Sequence, residues 1–335
     1  MAGITLAQLA QLETDPMAKY LQMRILRDAQ VMEKLPFDNV SSLSVRAMVP
    51  TVLPTAGSWR SLNEGYSSAE DGQFGERWET LYGFGGDITF DRVLDSLTNT
   101  IKDPVQAQIE LKLKSAAMTW NDTLINGDHA TDPKSFEGLK KRVAAMPSSQ
   151  TIYFTANTTD APLDPCASAA NARRFLNTID DSWMYCNGGK PSVILCNRDF
   201  IRGFRRAMLF NQVSGNFLDV TKDSFDRQFI SYNGATMIDM GLKKDQSTEI
   251  ISNTETAGDA GADSMSVYLV AFNTEEGVHG IQLNPLKVYD PLNGGEMESK
   301  PAKMRRFDWW NGIASFGQYG IVRLRNLSNL AGFTQ

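Results

Sequence analysis

One stretch of this chain dictates a shape before any other. Between Asp103 and Gly127, residues Val105, Ile109, Leu113, Ala116, Trp120 and Leu124 recur at three- and four-residue spacing and form one stripe of an α-helix. Asp103 is a favoured cap, Pro104 a favoured first helical residue, and Gly127 supplies a stop. A helix of roughly 22 residues, rising ~1.5 Å each, is a rod of about 33 Å. The rod is a structural spine.

The chain has 335 residues, a length that suggests about two domains. Its 42% hydrophobic and 21% charged content allows a sizeable buried core. Lys plus Arg number 33 against 39 Asp plus Glu, a formal net charge of −6, so the surface lacks the basic footprint of a protein that grips phosphate backbones. Cys166, Cys186 and Cys196 are an odd set without a CxxC pair, which fits a reducing compartment better than a disulfide framework. The N-terminus has neither the basic start nor the apolar run of a signal peptide. No segment approaches the ~18 apolar residues of a membrane helix. Synthesis in the cytoplasm is expected.

Residues 5 to 34 read as helix, interrupted near Asp15-Pro16, whose first part has few local partners and is expected to be an arm. Residues 41 to 50 read as a strand. The segment after it is broken by Pro50, Pro54, Gly57, Gly65, Gly72 and Gly75, with Trp59, Tyr66, Phe74 and Trp78 between the breakers. Large aromatics beside strand-formers argue for a long two-stranded excursion, which must rest on another surface because a lone hairpin is marginal in water. Asp164-Pro165 is expected to start a helix reaching Ile179. "PSVILCN" (191 to 197) reads as a strand covered on both faces, and "RDFIRGFRRAMLF" as the helix after it. Asn233-Gly234 between two apolar runs marks a hairpin, and further strands are expected at "SVYLVAF", "GVHGIQL" and "GIVRLRNL". The fold class is α+β.

No set of residues announces chemistry. His129 and His279 are 150 positions apart, and neither pairs with cysteines at metal-ligand spacing, so no metal and no cofactor are expected. "GFGGD" (83 to 87) lacks the third glycine and following helix of a dinucleotide loop, and "NGGKPS" (187 to 192) has proline where a phosphate loop needs Ser or Thr. The three cysteines have no evident base beside them and read as small buried hydrophobes. Charge is distributed by region. From Thr51 to Phe84 two arginines, Arg60 and Arg77, face five carboxylates (Glu64, Glu70, Asp71, Glu76, Glu79), a net of 2 − 5 = −3. Basic clusters lie elsewhere, at Arg202, Arg205 and Arg206, at Lys140 to Arg142, and at Lys300 to Arg306. An acidic excursion and basic patches on identical chains fit self-association, where complementary charge sets encounter and register.

Five ordered pieces of this sequence resemble the tailed-bacteriophage major capsid proteins of the Hong Kong 97 fold. They are "SWRSLNEGYSSAEDGQF" (58 to 74), "LYGFGGDITFDRVL" (81 to 94), "TLINGD" with "FEGL" (123 to 139), "PSVILCNRDF" (191 to 200) and "RRFDWWNGIASFGQYGIVRLRNL" (305 to 327). The resemblance implies an N-terminal arm (1–40) and an extended E-loop hairpin (41–90). It implies a P-domain (91–160) holding the spine helix (about 104–126), a mixed α/β A-domain (161–265), P-domain return strands (266–304) and a C-terminal segment closing the A-domain (305–335). It makes Asn126 and Gly127 the end of the spine and His129 a loop residue without a catalytic role.

The function implied is mechanical: many copies forming hexamers and pentamers of an icosahedral shell around packaged double-stranded DNA, assembled in the host cytoplasm, with no membrane partner. Trp59, Arg60, Glu64, Tyr66, Asp71, Phe74, Trp78, Arg202, Arg205 and Arg206 are the expected subunit-contact residues. Because the arm begins almost at Met1, either scaffolding and protease activities are expected on separate proteins or the chain is already the mature form; portal and decoration proteins are further expected partners. Some family members join an E-loop lysine to a neighbour's asparagine. No lysine lies between Lys34 and Lys102 here, so no such cross-link is expected. An encapsulin-like bacterial shell is the nearest alternative, and a soluble enzyme with an unrecognised site a more distant one.

Overall fold

Two sheets divide the apolar residues of this chain into two main cores, and the long helix lies against the first. The computed structural model describes residues 4–6, 8, 16–52, 59–65, 73–95, 104–155, 160–186, 190–210, 218–222, 226–257 and 260–328. Asp103, Tyr66 and Asp71 lie outside them.

The first sheet runs β1 (Ile4–Thr5), β2 (Pro36–Asn39), β13 (Val278–Gln282), β15 (Ala302–Ser315) and β14 (Lys287–Tyr289), with β5 (Tyr82–Asp91) also paired to β15. Strand β15 is its axis. It pairs with β5 from Ala302↔Asp91 to Asn311↔Tyr82, and with β13 from Asn311↔Gln282 to Ser315↔Val278. The spine helix α4 (Pro104–Asn126) lies against this sheet with Ile109, Leu113, Ala117, Trp120 and Leu124 buried. Ala116, expected in the stripe, is half-buried beside them, because a 3.6-residue period brings Ala117 to the centre of the face. The Trp120 ring stacks on Trp309 of β15 at 6.3 Å between centroids, and its Nε1 donates to Asn311 Oδ1 at 3.1 Å.

Most of the first part of the expected arm, residues 9–15, lies outside the described residues, and the helices after it pack on the body of the protein. Helices α1 (Pro16–Asp28) and α2 (Gln30–Lys34) are part of the chain's own core, burying Ile25, Leu26, Val31 and Met32, and Tyr20 donates to Glu110 of the spine at 2.8 Å. Their apolar positions find a partner 80 residues downstream, which local pattern cannot show.

The second sheet runs β6 (Thr151–Tyr153), β16 (Ile321–Ser328), β12 (Ala260–Val270), β7 (Val193–Cys196), β10 (Ala235–Asp239), β9 (Gln228–Tyr232) and β8 (Leu218–Lys222), with β11 (Glu255–Ala257) on β12. Strand β7, buried at every residue, pairs in parallel with β10 and antiparallel with β12. Asn233 and Gly234, at φ 48° and 82°, make the expected β9–β10 turn. Helices α6 (Ala169–Trp183) and α7 (Arg198–Phe210) bury Phe175, Phe200 and Phe204 in this core. Helix α6 starts later than expected. Asp164 Oδ1 instead accepts from Cys166 N at 2.7 Å in a turn, and Ser168 caps the helix by accepting from Asn171 N at 3.1 Å.

Three expected boundaries also move. Strand β5 belongs to the first sheet, so the two-stranded excursion ends near Thr80. Strand β12 belongs to the second sheet, and the chain returns to the first only at β13. Residues 302–315 form the axis of the first sheet, so of the final segment β16 is what enters the second. These crossings between sheets are long-range pairings that no local pattern encodes.

The turn after the spine is tight. A Cβ at Gly127 would lie 2.4 Å from the Phe136 carbonyl oxygen, and one at Gly138 2.6 Å from the Gly127 nitrogen. The two glycines let backbone meet backbone, and Gly138 N donates to Gly127 O at 2.9 Å. The short α3 (Arg92–Asp95) and α5 (Leu139–Ala144) complete the described helices, with a single 3₁₀ turn at Ser148–Gln150.

Leu113 is fully buried, so Leu113→Ala is expected to lose about 2–5 kcal/mol of unfolding free energy by chemical denaturation. His129 is exposed on the turn, and His129→Ala is expected to change it by no more than about 0.5 kcal/mol.

Candidate assembly surface

The hairpin of β3 (Ser44–Val52) and β4 (Gln73–Thr80) has two unlike faces because side chains alternate along a strand. Its register sets Arg46 opposite Trp78, Met48 opposite Glu76 and the backbone of Pro50 opposite Phe74, so Arg46, Met48, Phe74, Glu76 and Trp78 share one face. On it Met48 is 63%, Phe74 68% and Trp78 58% exposed. Arg46 holds the face together, bridging Glu76 at 3.0 Å with its guanidinium 5.8 Å from the Trp78 ring centroid.

The other face turns toward the body of the protein. Glu79 is buried there and takes both terminal nitrogens of Arg142 in α5, at 2.5 and 2.8 Å. Arg142 also donates to the carbonyls of Ile313 at 2.7 Å and Glu137 at 2.9 Å, so one guanidinium joins the hairpin, the turn after the spine and strand β15. Farther out, Val49, Gly75 and Arg77 face Ala145, Met146 and Pro147 across an open groove of about 510 Å³. Burial lowers the pKa of Arg77, against the opposing pull of Glu79.

Residues 59–65 form a closed turn. Ser61 N donates to Glu64 Oε2 at 3.0 Å, Glu64 N to Ser61 O at 3.2 Å, and Arg60 to the Glu64 carbonyl at 3.2 Å. Trp59 and Leu62 project from it almost wholly exposed. Of the expected contact residues, the structure therefore gathers Phe74 and Trp78 on one face and holds Trp59, Arg60 and Glu64 in one turn. It leaves Arg202 and Arg205 exposed on α7, Arg202 bridging Asp199 at 3.1 Å, with Arg206 on the same helix near Cys166. Met48 and Leu62 are exposed beside them and were not among the expected residues. Single apolar residues among polar ones carry no signal until a register places them.

Several charges read as free patches are paired within the chain. Lys140 meets Glu255 at 3.7 Å, Lys141 meets Asp128 at 3.3 Å, Arg305 meets Asp290 at 2.9 Å, and Arg306 grips Asp87 at 2.5 and 2.9 Å. The hydrogen bond from Arg306 holds the Asp87 carboxyl below its ordinary range. Burial alone would raise Glu255, but Arg323, Ser266, Lys140 and Arg325 outweigh it and hold that carboxyl low. Cys196 is pushed well up by burial, and Cys166 less so by the same cause, which disfavours the nucleophilic thiolate. Among the described residues no group of three or more His, Cys, Asp or Glu is placed to hold a metal ion. His129 Nδ1 lies 3.2 Å from Tyr82 Oη and 3.3 Å from the Ser135 carbonyl, contacts that fasten a turn to β5.

No family model and no curated protein matches the sequence. Solved structures do. The encapsulin SrpI of Synechococcus elongatus PCC 7942 matches with a TM-score of 0.57 and 14% identity over 100% of this chain and 99% of that one. The capsid of a native GTA particle matches at 0.57 and 13% identity, covering 91% and 90%. A chain of Microbacterium phage Oxtober96 matches at 0.54 and 12% identity, covering 87% and 88%. The chain has the Hong Kong 97 fold, the architecture of capsid and encapsulin shells.

Removing one member of a buried ion pair strands the other, at a cost of about 3–5 kcal/mol. Glu79→Ala is therefore expected to destabilise the protein by about that much in chemical denaturation. Pairing it with Arg142→Met should recover a large part of the loss, since no buried charge is then left alone.

Proposed function

We propose that this chain is the repeating subunit of a closed protein shell, the major capsid protein of a tailed bacteriophage, arranged as hexamers and pentamers around packaged double-stranded DNA. The observation that carries this reading is the hairpin: Met48, Phe74 and Trp78 share a face that no part of the described chain covers, on a fold shared with an encapsulin and with a GTA capsid. Large apolar faces rimmed by charge mark interaction sites. A second copy is the occupant available in a particle made of one chain. The net charge of −6 suits a container that confines DNA without gripping it.

The absence of lysine between Lys34 and Lys102 supports a shell without covalent links through this hairpin. Arg46, Arg60, Arg77 and Arg92 cannot replace a lysine nucleophile, because a guanidinium stays protonated at physiological pH. Scaffolding, portal and decoration proteins would be separate partners in the host cytoplasm. A second reading, an encapsulin-like compartment, draws on the match to SrpI over essentially the whole of both chains.

Electron microscopy and sedimentation of the expressed protein test assembly, with closed particles or capsomer-sized oligomers expected. A protein that stays monomeric with and without co-expressed scaffold contradicts both readings. Nucleic acid in particles purified from infected or induced cells separates them: packaged DNA supports the capsid, and protein cargo without DNA the encapsulin.

Replacing Met48, Phe74 and Trp78 together by serine is expected to leave the melting temperature within a few degrees, since the three are exposed, and to abolish particles. Normal particles from this variant would refute the assigned face. Boiled mature particles are expected to run as a single band near 37 kDa on denaturing gels, and a reductant-resistant ladder would overturn the non-covalent reading.

A further inference from the structure

His279 is a buried, titratable group that the assembly surface does not use. It lies on β13 opposite Ala314 of β15, its ring 5.4 Å from that of Phe316. Ile281, two residues on and therefore on the same face, packs in a small cluster of Leu81, Ala314, Val45 and Phe316. Val45 belongs to β3 and Leu81 follows β4. The imidazole thus sits in the apolar root from which the hairpin springs.

Its hydrogen bonding is half complete. The ring bonds the backbone of Asn273, while Nδ1 is buried without a partner. A neutral imidazole tolerates this as an unused lone pair. An imidazolium places an N–H donor where nothing accepts it, and a buried orphan donor costs about 1–3 kcal/mol, more when charged. Burial is the main influence and pushes the pKa below the ordinary imidazole value. The charged groups acting on the ring come from three elements: Asp38 of β2 and Glu79 of β4 favour protonation, and Arg142 of α5 opposes it. Glu275 and Glu276, in the loop that carries Asn273, are exposed. Glu79 already binds Arg142 with both oxygens, so answering a new cation would weaken the pair that fastens the hairpin.

We propose that His279 is a proton-sensitive latch at the hairpin root, closed while the ring is neutral and released when it gains a proton. The linkage has a definite sign. A folded-state pKa below the unfolded value of ~6.5 leaves stability intact above pH 6.5 and erodes it as pH falls below. Asp239, at the end of β10, and Glu249, in the loop after it, have pKa values that burial raises; they act with the opposite sign, so they do not mimic the effect.

Hydrogen exchange of the full-length protein at pH 7.0 and 5.5, corrected for intrinsic rates, reads the latch directly. Opening of residues 44–49 and 73–81 is expected to rise by up to about tenfold at pH 5.5, one unit below the ordinary imidazole value, while 193–196 and 265–270 change less than about twofold. His279→Gln, which can still donate to the Asn273 backbone but cannot titrate, is expected to remove the pH dependence. Uniform loss of protection across both sheets, an unchanged hairpin root in the wild type, or the same pH dependence in the variant would each overturn the proposal. If the variant does not fold, the wild-type comparison between the two regions decides alone.

Discussion

The contact between Trp120 and strand β15 is the interaction around which this protein is organised. The indole is buried, stacked on Trp309, edge-on to Phe136, and donates to Asn311, so its apolar bulk and its one polar atom are both satisfied. Trp309 in turn donates to Gln282 Oε1 at 2.9 Å, and Gln282 donates to Asn39 Oδ1 at 2.9 Å. A run of stacked and hydrogen-bonded side chains thus crosses from the spine helix through β15 and β13 to β2. An apolar core of the same volume would admit several helix placements. Buried donors and acceptors that must all be paired admit far fewer.

The hairpin depends on that frame. Strand β5 is tied along β15, while β3 and β4 are anchored to the body at their base, by Glu79 and Arg142 and in the cluster of Val45, Leu81, Ala314 and Phe316. A two-stranded sheet has too little core to stabilise its far end alone. Its outward face keeps Met48, Phe74 and Trp78 in solvent, a cost that the proposed association would remove. The root is also where His279 lies, so the segment most in need of a partner is joined to the body through a charge pair and a titratable ring.

Electrostatics plays a more local part than the distribution of charge along the sequence implies. Lys140, Lys141, Arg305 and Arg306 read as basic patches, and each has a carboxylate partner on its own chain. Exposed pairs of this kind contribute little, typically about 0–1 kcal/mol, whereas Arg142 and Glu79 are out of water and each depends on the other. One arginine of the cluster differs from its neighbours in kind, and burial alone makes the difference.

Sequence by itself determined the elements whose pattern is local. The spine stripe from Ile109 to Leu124, the buried strand at Val193–Cys196, the Asn233-Gly234 turn and the glycines that end the spine were all legible, because spacing and turn chemistry act over a few residues. The aromatic, glycine-broken excursion was legible as a hairpin in need of support. Tertiary structure decided what depends on partners far along the chain. Helices α1 and α2 joined the core, β12 and β15 fell to different sheets, Glu79 found Arg142, and Met48 came to lie on the exposed face with Phe74 and Trp78. The physical reason is that β-pairing and buried polar contacts are chosen by which surfaces meet after the chain has crossed between sheets, and neither periodicity nor composition records those meetings.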